Sequence, residues 1–215
     1  LGEVVINAVI FDMDGVLVDS EPLQFEAYAQ VMYRYGVELT KKEFIEYWIG
    51  KGNLREHLER HQLDVPVAEV RQRKNAVYAD LVRRKMRTRP GIIGLLKRLH
   101  AEMPTALASS AHEDSVNAVL NRFDLRQYFN VILTGNDVSK NKPDPEIYLL
   151  AAKLLHVDPE QCLVFEDSPS GIAAGKAAGM KVFAMPHEFT AGQDLSAADL
   201  IISDLRNLRL RLNRK

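Results

Sequence analysis

The chain has 215 residues, of which 47% are hydrophobic and 27% charged, with six histidines and a formal net charge of −1 at pH 7. That length accommodates one full core plus a smaller accessory lobe, and the balanced charge excludes the electrostatic footprint of a nucleic-acid or anionic-membrane binder. No apolar run approaches the roughly 20 residues of a membrane span, and the single cysteine, Cys162, cannot form an internal disulfide, so the expected compartment is a reducing cytoplasm.

Residues 4–11 form an apolar run suited to a buried strand. Without a basic flank or a small-residue cleavage site, this stretch is expected to be structural and not a signal peptide. It stops at two carboxylates one residue apart, Asp12 and Asp14, with Gly15 behind them to permit a sharp turn. Like charges that close repel and need a compensating cation, and open α/β sheets carry their chemistry at such strand ends. Ser20 and Pro22 then signal a helix start, Leu23, Ala27, Val31 and Tyr35 recur every four residues, and Gly36 supplies a stop. Thr40-Lys41-Lys42-Glu43 has the spacing of a capping box. Helical stretches are expected over 53–62 and 67–87, the second with Val70, Val77 and Leu81 on one face.

Arg89-Pro90-Gly91 marks a return to a different rhythm. Strand-like runs at 105–108, 131–133, 162–165 and 181–184, with a short edge run at 200–202, alternate with helical segments near 113–123, 145–155 and 170–178. Such alternation implies βαβ units with right-handed crossovers. The expected fold is α/β: a Rossmann-like parallel-sheet core from residues 1–18 and 89–215, with an α-helical cap inserted at 19–88, where it is well placed to act as a lid.

Four groups fall at predicted strand ends or in the loops that follow them: Asp12 with Asp14, Ser109 with Ser110, Lys142-Pro143 in a turn just ahead of a helix, and Glu166-Asp167. In a parallel sheet these ends share one rim, where carboxylates with little histidine suit a hard cation such as Mg²⁺. A carboxylate nucleophile, a cation and a lysine are what phosphoryl transfer requires, because the phosphate oxygens otherwise repel the nucleophile. Hydroxyl and backbone N–H groups near Ser109 can hold the remaining oxygens.

Taken in order, Asp12-Met13-Asp14-Gly15-Val16-Leu17, Ser109, Lys142-Pro143 and Glu166-Asp167 resemble the four motifs of the haloacid dehalogenase superfamily, and the helical insertion resembles its cap. The surrounding residues, including Asp19-Ser20-Glu21-Pro22-Leu23 and Ser168-Pro169-Ser170-Gly171, are similar to the β-phosphoglucomutase and sugar-phosphatase branch. The resemblance implies that Asp12 attacks phosphorus, Asp14 acts as general acid and base, and Ser109 and Lys142 bind the phosphoryl group. It implies Mg²⁺ held by Asp12, the Asp14 backbone carbonyl and Asp167, with Glu166 in support. Retention of Asp14 points to phosphate esters and away from dehalogenation. Within the cap, β-phosphoglucomutases have a histidine where this chain has Gln24 and an arginine where it has Asn53, with Arg55 nearby, while Lys74 matches their lysine. The implied function is a Mg²⁺-dependent phosphatase of small phosphorylated sugars or polyols, with β-phosphoglucomutase as the alternative. The implied partner is a small-molecule phosphate ester, with no nucleic acid, no membrane and a monomeric chain.

Other readings are weighed beside this one. A receiver-type signalling module would lack the helical insertion and place its Asp on a middle strand, and a non-catalytic phosphate binder would have lost Asp12, Asp14 or Lys142. Glu166 has two simpler roles open to it, capping the next helix or pairing with Lys142. His57 and His61 are expected on a solvated helix face, Trp48 in cap packing, and the glycines from 171 to 179 in close helix packing.

Overall fold

The computed structural model describes residues 5–48, 54–190 and 192–203. The chain divides into two compact units: one runs to Val18 and resumes at Thr88, and the other is Asp19–Arg87. Thr88, assigned above to the inserted segment, pairs with Val18 in an isolated antiparallel bridge.

The first strand, β1 (Ala8–Phe11), is fully buried, as its unbroken apolar run requires. In the inserted unit, α1 (Glu21–Tyr33) begins after Ser20, but Ser20 does not cap it: its backbone is already helical and its buried Oγ has no hydrogen-bond partner. Leu23, Ala27 and Val31 face inward, whereas Tyr35 lies beyond the helix end. Thr40 caps the short α2 (Lys41–Glu43) by accepting from the Glu43 N–H at 3.2 Å. The reciprocal half of the box does not close through the Glu43 carboxylate, which pairs instead with His61 at 2.6 Å. A wider π-helical turn, Phe44–Trp48, follows, then α3 (Leu54–Arg60) and α4 (Val67–Lys85). α1 and α4 pack together, and Phe25, Tyr28, Phe44 and Trp48 form an aromatic cluster. His57 is not solvated as expected; it is buried and stacks on Trp48 with centroids 4.2 Å apart.

The larger unit continues with α5 (Ile92–Glu102), a helix that the strand spacing above leaves unassigned. Gly91 supplies the left-handed residue before it (φ +84°), and Ile92, Leu95, Leu96 and Leu99 are its buried stripe. Then come β2 (Thr105–Ala108), α6 (Glu113–Phe123), β3 (Val131–Leu133), α7 (Glu146–Leu155), β4 (Cys162–Glu166), α8 (Pro169–Ala177), β5 (Lys181–Ala184) and β6 (Leu200–Ile201). Among the described residues these strands form one parallel sheet in the order β3-β2-β1-β4-β5-β6. The order reverses at β1, the topological switch point where open α/β sheets bind ligands. α8 presses close to the sheet through Gly175, where a Cβ would collide with Val182. Among the described residues, no helix is long and apolar enough to cross a membrane.

Candidate active site

Phe11 pairs with Phe165 across β1 and β4, so Asp12 leaves one strand one residue past that pair and Glu166 ends the other. The Asp12 N–H donates to the Phe165 carbonyl at 3.0 Å, which keeps the acid tied to the sheet edge. Asp14 follows in a turn closed by Gly15 N–H to the Val18 carbonyl (2.8 Å), and Gly15 adopts φ +74° there. A Cβ at Gly15 would run into the Asp167 carboxylate, so the turn lies directly against that acid.

Lys142 ties the rim together. Its Nζ donates to Asp12 Oδ1 at 2.6 Å, Glu166 Oε1 at 2.7 Å and the Ala108 carbonyl at the end of β2 at 3.0 Å. The lysine side chain is 5% exposed, Asp12 10% and Glu166 1%, so the three form a buried ion network. Ser109, immediately after β2, is buried; its N–H donates to the Leu133 carbonyl and its Oγ accepts from the Ala111 N–H at 3.1 Å.

Glu166 departs from the metal-supporting role implied above, because both its oxygens are occupied. Oε1 accepts from Lys142 and from the Tyr148 hydroxyl (2.8 Å), and Oε2 accepts from the Asp167 N–H, the Ser168 N–H and the Ser168 hydroxyl. The carboxylate therefore holds Lys142 and braces the start of α8, the two simpler roles together. Gly171 makes room for it, since a Cβ there would overlap the Glu166 carboxylate. Two further residues belong to the site although no sequence motif marks them. Tyr148, fully buried on α7, places its ring 4.7 Å from Lys142 Nζ, and His187, in the loop after β5, lies 2.9 Å from Asp167 Oδ2. The signal for His187 was its position after a predicted strand; Tyr148 had none, being one aromatic on an apolar helix face.

The electrostatics follow from this crowding. Burial pushes the Asp12 carboxyl well above the usual carboxylate range; Lys142 opposes the rise while Glu166, Asp167 and Asp14 add to it. Asp167 is raised in the same way, by burial and then by Glu166 and Asp14. For Lys142 burial favours the neutral amine, yet Asp12 and Glu166 overcome it and hold the ammonium well above its ordinary value of 10.5. Burial also works against ionised Glu166, but Lys142, Tyr148 and Ser168 together keep its pKa low. Four acids thus crowd together with one ammonium, which contacts only Asp12 and Glu166 among them, and a bound cation would favour their ionised forms. Among the described residues no group of three or more His, Cys, Asp or Glu side chains is arranged to hold a metal ion. Mg²⁺ needs fewer, being held by one or two carboxylates with waters and phosphate oxygens completing the octahedron. The all-oxygen donors of Asp12, Asp14 and Asp167 fit that cation.

In the helical unit, Lys74 is buried on α4 with its Nζ 5.1 Å from the Tyr28 ring and 4.6 Å from the Tyr78 ring. Gln24 lies partly buried on α1. Asn53 falls outside the described residues.

A parallel α/β sheet with an acid pair after its first strand, a helical insertion, and a buried lysine on that acid defines a family of phosphoryl-transfer hydrolases. Residues 9–185 match the haloacid dehalogenase-like hydrolases. The chain is 37% identical over 203 residues to a phosphorylated carbohydrates phosphatase of Thermotoga maritima, covering 91% of this chain and 92% of that protein. Among solved structures, it is similar to a mutant of CbbY from Rhodobacter sphaeroides in complex with xylulose-1,5-bisphosphate, at 29% identity and TM-score 0.79, covering 95% of this chain and 96% of that one. It is also similar to the β-phosphoglucomutase of Clostridium difficile, at 26% identity and TM-score 0.76, covering 95% and 94%. The chain belongs to the haloacid dehalogenase-like hydrolases, in the branch of the sugar phosphatases, and is an enzyme of phosphatase type.

Proposed function

We propose that the protein is a Mg²⁺-dependent phosphatase that hydrolyses small phosphorylated sugars or polyols through an aspartyl phosphate on Asp12. The observation that carries this reading is Lys142, which joins Asp12 and Glu166 in one buried network at 2.6 and 2.7 Å. An ammonium at that point neutralises part of the charge that would keep a phosphate dianion from a carboxylate nucleophile. An Asp12 oxygen attacks phosphorus as the bond to the sugar oxygen breaks, and Asp14 gives that oxygen its proton. Asp14 then takes a proton from the water that attacks the phosphoryl-aspartate, so that phosphate leaves and Asp12 is regenerated. Ser109 and nearby backbone N–H groups bind the phosphoryl oxygens. Mg²⁺, held by the Asp12 carboxylate, the Asp14 carbonyl and Asp167, would neutralise phosphoryl charge and restore ionised carboxylates.

The direct test is phosphate release from p-nitrophenyl phosphate with and without Mg²⁺. Asp12→Asn is expected to lower turnover by about 10⁴-fold or more, as loss of a nucleophile does; activity equal to the parent overturns the mechanism. A second reading, β-phosphoglucomutase, is favoured by Lys74 but opposed by Gln24, since glutamine cannot ionise as the expected histidine can. β-Glucose 1-phosphate with the bisphosphate activator separates the two: glucose 6-phosphate forming faster than free phosphate identifies the mutase.

A further inference from the structure

The chain between β5 and residue 190 is held at every turn. The Met185 N–H donates to the Glu166 carbonyl at 2.7 Å, and Arg89 Nη2 donates to the Pro186 carbonyl at 3.1 Å. The His187 N–H donates to Thr190 Oγ1 at 3.1 Å, and the Thr190 N–H donates back to the His187 carbonyl at 3.0 Å. This fastening orients one imidazole, whose side chain is 4% exposed.

The ring's protonation pattern follows from its partners. The Phe189 N–H lies 3.3 Å from His187 Nδ1 and, being a backbone amide, can only donate to it. Nδ1 is therefore the acceptor nitrogen, and the ring proton sits on Nε2, which donates to Asp167 Oδ2 at 2.9 Å. Gly15 closes over the pair, because a Cβ there would collide with both Asp167 Oδ2 and His187 Nε2.

We propose that His187 is a positioning residue: by donating from Nε2 to Asp167 Oδ2 it turns that carboxylate into a one-oxygen ligand for Mg²⁺. The inference rests on the assignment of Asp167 as a metal ligand made under the proposed function. Groups that hydrogen-bond a metal ligand set its orientation and the affinity of the site. Occupying one carboxylate oxygen also bears on which cation binds. Mg²⁺ takes single oxygens in a tight octahedron, whereas Ca²⁺ accepts two-oxygen carboxylates in a looser shell.

The test measures metal binding to the substrate-free full chain by isothermal titration calorimetry with Mg²⁺ and with Ca²⁺. His187→Asn can retain the acceptor for the Phe189 N–H while losing the reach to Asp167, and His187→Gln can retain the donor to Asp167. His187→Asn is expected to weaken Mg²⁺ binding by about 10- to 100-fold and to shift preference towards Ca²⁺, with His187→Gln restoring most of the parental affinity. Near-UV circular dichroism and thermal melting report the fold of each variant. Parental Mg²⁺ affinity in His187→Asn, alongside lost binding in Asp167→Asn, overturns the role of His187 and leaves the metal assignment standing. Equal damage in the Asn and Gln variants, with lowered melting temperatures, overturns it in favour of a loop-fastening role. Parental Mg²⁺ affinity in Asp167→Asn overturns the metal assignment itself.

Discussion

In the α/β unit Lys142 is buried among carboxylates, 2.6 Å from Asp12 and 2.7 Å from Glu166, whereas in the helical unit Lys74 is buried over the rings of Tyr28 and Tyr78. Both solutions keep an ammonium out of water, but they differ in what each member owes to the others. Within the network of formal charges, the protonation state of each group depends on its neighbours, so deleting one leaves the rest buried without a partner. Over Tyr28 and Tyr78 the ammonium is attracted in part by ring quadrupoles, and removing the lysine leaves those rings neutral, with no carboxylate of the kind that Lys142 would abandon. The first arrangement suits a rim that must hold a reactive acid in place; the second suits packing.

Substitutions can break or sharpen that contrast. Lys142→Met should be the most damaging, costing about 3–5 kcal/mol in a urea or thermal melt because Asp12 and Glu166 lose their cation, and it should abolish phosphate release. Tyr148→Phe removes one hydrogen bond to a charged group and should cost about 1.5–3 kcal/mol, with activity falling because Lys142 loses part of its support. Gly171→Ala forces a methyl group into the Glu166 carboxylate; overpacking of this kind should cost about 1–3 kcal/mol by the same melt and reduce kcat, since Glu166 positions Lys142. Lys74→Met should be the mildest, at about 2 kcal/mol or less. If Lys74→Met proved as destabilising as Lys142→Met, the contrast between the two environments would be lost.

The parts of the site legible in the sequence were those written locally. An apolar run ending in Asp12 and Asp14 identifies a strand and its reactive edge together, and the strand ends at Ala108 and Glu166 were near enough to name Ser109 and the Glu166-Asp167 pair. The roles within the site were less visible. The family resemblance gives Glu166 a supporting place at the metal, yet its oxygens are taken by Lys142, Tyr148 and the start of α8. Those partners come from three places in the chain, and no local pattern joins them. The stripe of Ile92, Leu95, Leu96 and Leu99 in α5 is regular, but it follows directly on Arg89-Pro90-Gly91, whose turn chemistry masks a helix start that has no capping side chain. His57 lies on α3 and His61 just past its end, and neither is left to solvent: the aromatic ring of Trp48 and the carboxylate of Glu43 meet them, and both come from an earlier segment.

By itself, then, the order of residues determined the alternation of strands and helices, the inserted helical segment and the acids at the first strand's end. Each depends on hydrophobic period and on short-range backbone chemistry, which act over a few residues. Only the tertiary structure decided that Lys142 binds both Asp12 and Glu166, that Tyr148 backs them, and that the His187 imidazole donates to Asp167. Hydrogen bonds and ion pairs are satisfied at about 3 Å in space without regard to separation along the chain, and the parallel crossovers alone bring those side chains within that reach.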